Sequence, residues 1–126
     1  MIALDASAVL AFLFREPGHD RVAAVISQSC MSTVNLAEVI ARFVRDGHDA
    51  REVLLRMTES PIDLVPFLSE DAALAATLVL RTRDYGLSLG DRACLALAMA
   101  RRVPVYTADR AWQSVGLDLV VELIRP

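Results

Sequence analysis

The sequence predicts an α/β protein whose central parallel sheet of about five strands is covered by helices on both faces. Five short apolar runs alternate with segments of helical periodicity. That alternation is the pattern of parallel strands joined by crossover helices. Acidic residues stand where strand-like runs hand over to helices, or within the first turn. No repeat, linker or low-complexity stretch divides the 126 residues, which reads as one domain over 1–126.

In chain order, Ile2–Leu4 is an apolar run ending at Asp5, and a helical pattern follows over Ala6–Phe14. Glu16-Pro17-Gly18 is a break. His19–Gln28 reads as a second helix, with Val22, Val25 and Ile26 on one face. Cys30–Val34 is a strand, and Asn35 opens a helix to Asp46 that Gly47 closes in left-handed geometry. Asp49–Glu59 is a helix stopped by Pro61, and Ile62–Phe67 alternates like a strand. Glu70–Tyr85 reads as one long helix with Gly86 behind it. After the loop Leu87–Gly90 come a helix over Asp91–Arg102 and a strand over Val103–Tyr106. Asp109–Val115 is a short helix broken by Gly116, and Leu119–Ile124 is the last strand.

Composition excludes several classes. The apolar stretches Ala72–Leu80 and Ala93–Ala100 are far shorter than the roughly 20 residues that span a bilayer. Met1–Phe14 has no basic leading segment and carries Asp5 within its apolar run, so it reads as core, and the expected location is the cytoplasm. Cys30 and Cys94 have no CxxC spacing and read as buried thiols; His19 and His48 lie in polar contexts without ligand spacing. The net charge of −3 does not advertise nucleic-acid binding, although all thirteen basic residues are Arg, which suits bidentate phosphate contacts. A 55% hydrophobic chain with mean hydropathy +0.42 has apolar surface to spare for a partner.

Four carboxylates carry the chemistry: Asp5, Glu38, Asp91 and Asp109. In a parallel α/β sheet the strand-to-helix handovers gather at the carboxyl edge, where ligands bind. Each acid also has a capping role open to it. Asn35-x-x-Glu38 and Ser88-x-x-Asp91 have capping-box spacing, and Asp5 and Asp109 are good N-caps. Ser, Thr and Asn cap as well without mutual repulsion, so four acids at one edge exceed what capping needs. A divalent cation relieves that repulsion, and the lack of accompanying His or Cys favours Mg²⁺ or Mn²⁺ over zinc. Ser7 and Thr107, each two residues from an acid, are candidates to hold those carboxylates.

Four blocks carry a family resemblance: Met1-Ile-Ala-Leu-Asp5-Ala-Ser7, Met31-Ser-Thr-Val-Asn35-Leu-Ala-Glu38-Val, Leu87-Ser-Leu-Gly-Asp91-Arg-Ala-Cys-Leu-Ala-Leu-Ala and Thr107-Ala-Asp109-Arg-Ala-Trp112. In order and separation they resemble the signature blocks of PIN-domain ribonucleases, and more narrowly the VapC-type toxins of toxin–antitoxin pairs. The similarity runs from end to end of the chain. It implies a three-layer α/β/α fold and a Mg²⁺- or Mn²⁺-dependent endoribonuclease. It further implies metal binding at Asp5, Glu38, Asp91 and Asp109, with Ser7 or Asn35 in support. The implied partners are an RNA substrate, such as transfer or ribosomal RNA, a cognate antitoxin protein, and a second copy of the chain in a homodimer.

Two other readings compete. Asp5 as a phospho-accepting nucleophile wants a second acid nearby and a late Lys, and the chain has neither. A non-catalytic PIN-like module for binding RNA or protein is the alternative that the intact acids disfavour. Trp112 reads as core rather than as a base-stacking platform.

Overall fold

In the computed structural model, which describes residues 1–126, β1 (Ile2–Leu4) is the middle strand of a five-stranded sheet. The remaining strands are β2 (Ser29–Ser32), β3 (Asp63–Val65), β4 (Val105–Thr107) and β5 (Val121–Leu123), in the spatial order β3-β2-β1-β4-β5. Every neighbouring pair is parallel, with Ala3 opposite Cys30 on one side and Val105 on the other. Seven helices connect them: α1 (Ala6–Leu13), α2 (His19–Ala23), α3 (Thr33–Arg45), α4 (Ala50–Glu59), α5 (Ser69–Thr77), α6 (Val79–Thr82) and α7 (Leu89–Arg101).

Successive strand residues point to opposite faces, and this divides the core in two. Ala3, Cys30 and Val105 pack under α5 and α7 with Ala75, Leu95 and Trp112. Leu4 and Met31 pack under α1, α3 and α4 with Val9, Val39 and Met57. The result is the three-layer α/β/α fold expected from the sequence. Trp112 is buried in the first cluster, so its place is the core, as expected. Both cysteines are free and buried.

Several boundaries differ from the sequence reading. The helix expected over His19–Gln28 stops at Ala23, because Val25 leaves the helical region and the Ser29 hydroxyl takes the Ile26 carbonyl at 2.7 Å. The expected helix Glu70–Tyr85 is divided into α5, α6 and a last 3₁₀ turn over Arg83–Tyr85. Buried Thr82 bonds its hydroxyl back to the Leu78 carbonyl at 2.8 Å, a contact that bends helices. β4 begins at Val105 rather than Val103, since Pro104 has no N–H to give the ladder. Asp109–Val115 is a 3₁₀ turn over Arg110–Ser114 instead of an α-helix.

One shift matters to the site. Ser32, not Asn35, caps α3, accepting from the Val34 N–H at 3.2 Å, so Asn35 and Glu38 lie inside the helix. The capping-box reading of Asn35 and Glu38 is thereby overturned. The box between Ser88 and Asp91 is present as spaced, at the start of α7.

Candidate active site

The strand order creates the crevice. From β1 the chain proceeds outward to β2 and β3, then returns to place β4 on the other side of β1. The carboxyl ends of β1 and β4 therefore flank a topological switch point, the usual ligand position in open parallel sheets. Asp5 immediately follows β1, and Thr107 ends β4.

Asp5 is buried, at 3% exposure, and fully engaged. The Ala8 N–H donates to Oδ1 at 2.8 Å, and the Ser7 hydroxyl lies 2.7 and 2.9 Å from the two carboxylate oxygens. The Thr107 hydroxyl donates to Oδ2 at 2.6 Å. Ser7 and Thr107 in turn accept from the backbone N–H groups of Ala108 and Asp109, at 2.9 and 3.0 Å. The two hydroxyls thus tie the start of α1 to the segment that carries Asp109. Burial pushes the Asp5 carboxyl up to a pKa of about 6, opposed by the bonds from Thr107, Ser7 and Ala8 and reinforced by the charge of Asp91. No arginine forms an ion pair with it.

Thr107 is fully buried, so Thr107→Val removes a bond to a charged acceptor and leaves the Asp109 N–H without its partner. The expected loss is about 1–3 kcal/mol of unfolding free energy in urea. It should be larger at pH 8 than at pH 5, because the lost bond favours the ionised form of Asp5.

Asp91 lies at the third position of α7, where Oδ2 accepts from the Ser88 N–H at 2.9 Å. Burial raises its carboxyl as well; the Ser88 bonds oppose this, Asp109 adds repulsion and Arg92 gives some relief. Glu38 is exposed on α3, where Asn35 Nδ2 donates to its Oε1 at 2.9 Å and to the Gly90 carbonyl at 3.0 Å. Asp109, also exposed, caps the following turn by accepting from the Ala111 N–H at 3.0 Å. The Cys94 thiol is held well above its ordinary pKa, first by burial and then by the charges of Asp5, Cys30, Asp91 and Glu38.

Hydrogen bonds link the acids in pairs: Thr107 joins Asp5 to the Asp109 backbone, and Asn35 joins Glu38 to Gly90, next to Asp91. Asp5, Asp91 and Asp109 are also caps, while Glu38 is not. Asp91, Glu38 and Asp109 each commit one oxygen to a local bond that fixes the carboxylate and keep the other free. No three His, Cys, Asp or Glu side chains stand close enough to enclose an ion. Mg²⁺ keeps several waters and takes one or two carboxylates rather than a protein cage, which separated acids suit. An all-oxygen donor set, with a buried carboxylate that no arginine pairs, fits a hard dication.

The acids line an open edge. The largest cavity, about 580 Å³, touches none of them and lies beside Met99, Arg102, Pro104 and Asp118. Of the supporting residues, Ser7 and Thr107 hold Asp5, and Asn35 holds Glu38. Sequence reasoning missed Gly90, whose carbonyl receives Asn35. In the sequence it read as the last residue of the loop Leu87–Gly90, whereas α7 begins at Leu89 and takes the glycine into its first turn.

A family model described as the PIN domain matches residues 2–117. The chain belongs to the PIN-domain family. Solved structures of similar fold include VapC20 of Mycobacterium tuberculosis, described as a sarcin-ricin loop cleaving toxin. It is 18% identical, with a TM-score of 0.75 and 100% of each chain covered. A toxin-antitoxin complex from Klebsiella pneumoniae shares 18% identity at a TM-score of 0.74, over 97% of each chain. FitAcB of Neisseria gonorrhoeae shares 20% at 0.70, over 96% of each. Comparison with curated protein sequences returns no significant match. In this PIN domain no helix is long and apolar enough to cross a membrane.

Proposed function

We propose that this PIN domain is the toxin of a type II toxin–antitoxin pair, a Mg²⁺- or Mn²⁺-dependent endoribonuclease that hydrolyses RNA phosphodiester bonds. The observation that carries the reading is the buried Asp5 carboxylate at the switch point, raised by burial and by the charge of Asp91, with no arginine paired to it. A merely structural position would be filled at lower cost by Asn or Ser. The toxins and toxin–antitoxin complexes among the structures of similar fold support the same assignment.

Asp5 and Asp91 would hold the ion, joined by Glu38, and Asp109 would complete its outer sphere or help hold a second. A bound divalent ion supplies charge against the non-bridging phosphate oxygens and lowers the pKa of water at the site. Ser7 and Thr107 keep the Asp5 carboxylate in one orientation. Glu38, exposed and oriented by Asn35, would accept the proton of the attacking water as its oxygen bonds to phosphorus, while the ester P–O bond breaks and the leaving oxygen takes a proton from solvent. Arg110, exposed and directly after Asp109, would offer its guanidinium to the RNA backbone.

The open acidic edge suits a polymer, with transfer or ribosomal RNA as the proposed substrate. Exposed Leu54, Leu55, Leu80 and Leu89 offer apolar surface for a cognate antitoxin and for a second copy of the chain. The test is cleavage of total RNA by the purified protein, with new 5′ ends mapped by sequencing. Discrete cuts that need Mg²⁺ or Mn²⁺ and vanish with chelator are expected. Cleavage that persists in excess chelator, or intact RNA in the presence of either ion, contradicts the reading.

A further inference from the structure

We infer that Gly90 is a positioning residue that sets where the Glu38 carboxylate stands relative to Asp91. The inference rests on the metal-site reading above and deepens it. Gly90 is the second residue of α7, next to Asp91, and is buried. A Cβ built there would come within 2.5 Å of the Glu38 carboxylate carbon and of its Oε2. The carboxylate thus rests in the space that any side chain at position 90 would occupy.

Two hydrogen bonds hold it there. Asn35, 1% exposed, donates one amide hydrogen to Glu38 Oε1 and the other to the Gly90 carbonyl. The same Asn35 amide group therefore fixes the acid on α3 and the backbone of α7 beneath it, across 55 residues of sequence. Asn35 Oδ1 is buried without a partner, so its amide is placed for these two donations and nothing else. Gly90 contributes a bare Cα and a carbonyl, and any other residue keeps only the carbonyl.

This arrangement separates folding from function. The three atoms nearest the added Cβ all belong to the Glu38 carboxylate, which sits on a flexible stem and can move aside. Glycine within a helix is also less favourable than alanine. Gly90→Ala should therefore fold at least as well as the wild type while displacing Glu38. Loss of the groups that orient metal ligands typically lowers metal affinity about 10–100-fold.

The test is calorimetric titration of MnCl₂ into the whole protein, paired with thermal unfolding without metal. The wild type should bind Mn²⁺, and Gly90→Ala should bind it about tenfold or more weakly with an unchanged or raised Tm. Because Gly90 acts through Glu38, Gly90→Ala should add no further loss in a Glu38→Gln background. Undiminished affinity in Gly90→Ala, or an equal loss in the Glu38→Gln background, overturns the inference and leaves the metal site standing. Absence of Mn²⁺ binding by the wild type overturns the metal site and this inference with it.

Discussion

Asp91→Asn should lose metal-dependent RNA cleavage and keep its fold. The Asn Oδ1 can still accept from the Ser88 N–H, and Asn caps helices as well as Asp, so the start of α7 is retained. Removing the charge also ends the repulsion from Asp109 that helps to raise the Asp91 carboxyl. The variant should therefore unfold at the wild-type temperature or above it. Cleavage should fall by more than the ~10–100-fold that loss of an outer partner of a metal site costs, because the proposed role of Asp91 is that of a direct ligand. Parallel cleavage assays in Mg²⁺ and thermal melts in chelator check this. A variant that loses stability but keeps Mn²⁺ affinity would mark Asp91 as a cap and nothing more.

Asp5→Asn should be inactive and yet more stable than the wild type when metal is absent at pH 8. Folding moves the Asp5 carboxyl from an ordinary pKa of 3.8 to about 6. A raised carboxyl contributes stability below its unfolded pKa, and that contribution is lost as pH climbs through the folded value. Above pH 6 the ionised side chain thus costs the metal-free fold about 3 kcal/mol, as an order of magnitude. Asn carries no such cost, can accept from the Ala8 N–H and can donate to the Thr107 hydroxyl. Urea unfolding in chelator should show the variant ahead at pH 8, with the gap shrinking as pH falls from 6 toward 4. Mn²⁺ should then raise the stability of the wild type and leave the variant unchanged. A variant less stable than the wild type at pH 8 contradicts this account of Asp5.

The layout of the fold and the acids was legible because both follow from patterns along the chain. Short apolar runs separated by helical segments specify strands and crossovers, and Asp5 at the end of Ile2–Leu4 needs only one strand to be placed. The Ser88 and Asp91 box is equally local, and it formed as spaced. What escaped depends on contacts between distant segments. Asn35 has the spacing of a cap, but Ser32 took that place, which freed the amide to reach Gly90. Within Glu70–Tyr85 the Thr77 and Thr82 hydroxyls bond back to the Leu74 and Leu78 carbonyls where α5 and α6 end, a competition that periodicity does not register. Gly90 had no chemistry of its own to read; its role appears only when Glu38 is seen lying over it. The sequence also did not order the strands, and so did not reveal that Asp5 and Thr107 meet across the switch point at 2.6 Å.

The central claim is that carboxylates from β1, α3, α7 and the turn after β4 share a hard dication. A crystal soaked in MnCl₂ and measured at a wavelength where manganese scatters anomalously addresses it directly. The account predicts an anomalous peak within bonding distance of Asp5 and Asp91, facing Glu38 and Asp109. A map with no peak there, or with manganese only at exposed acids elsewhere such as Glu52 and Glu59, would contradict it.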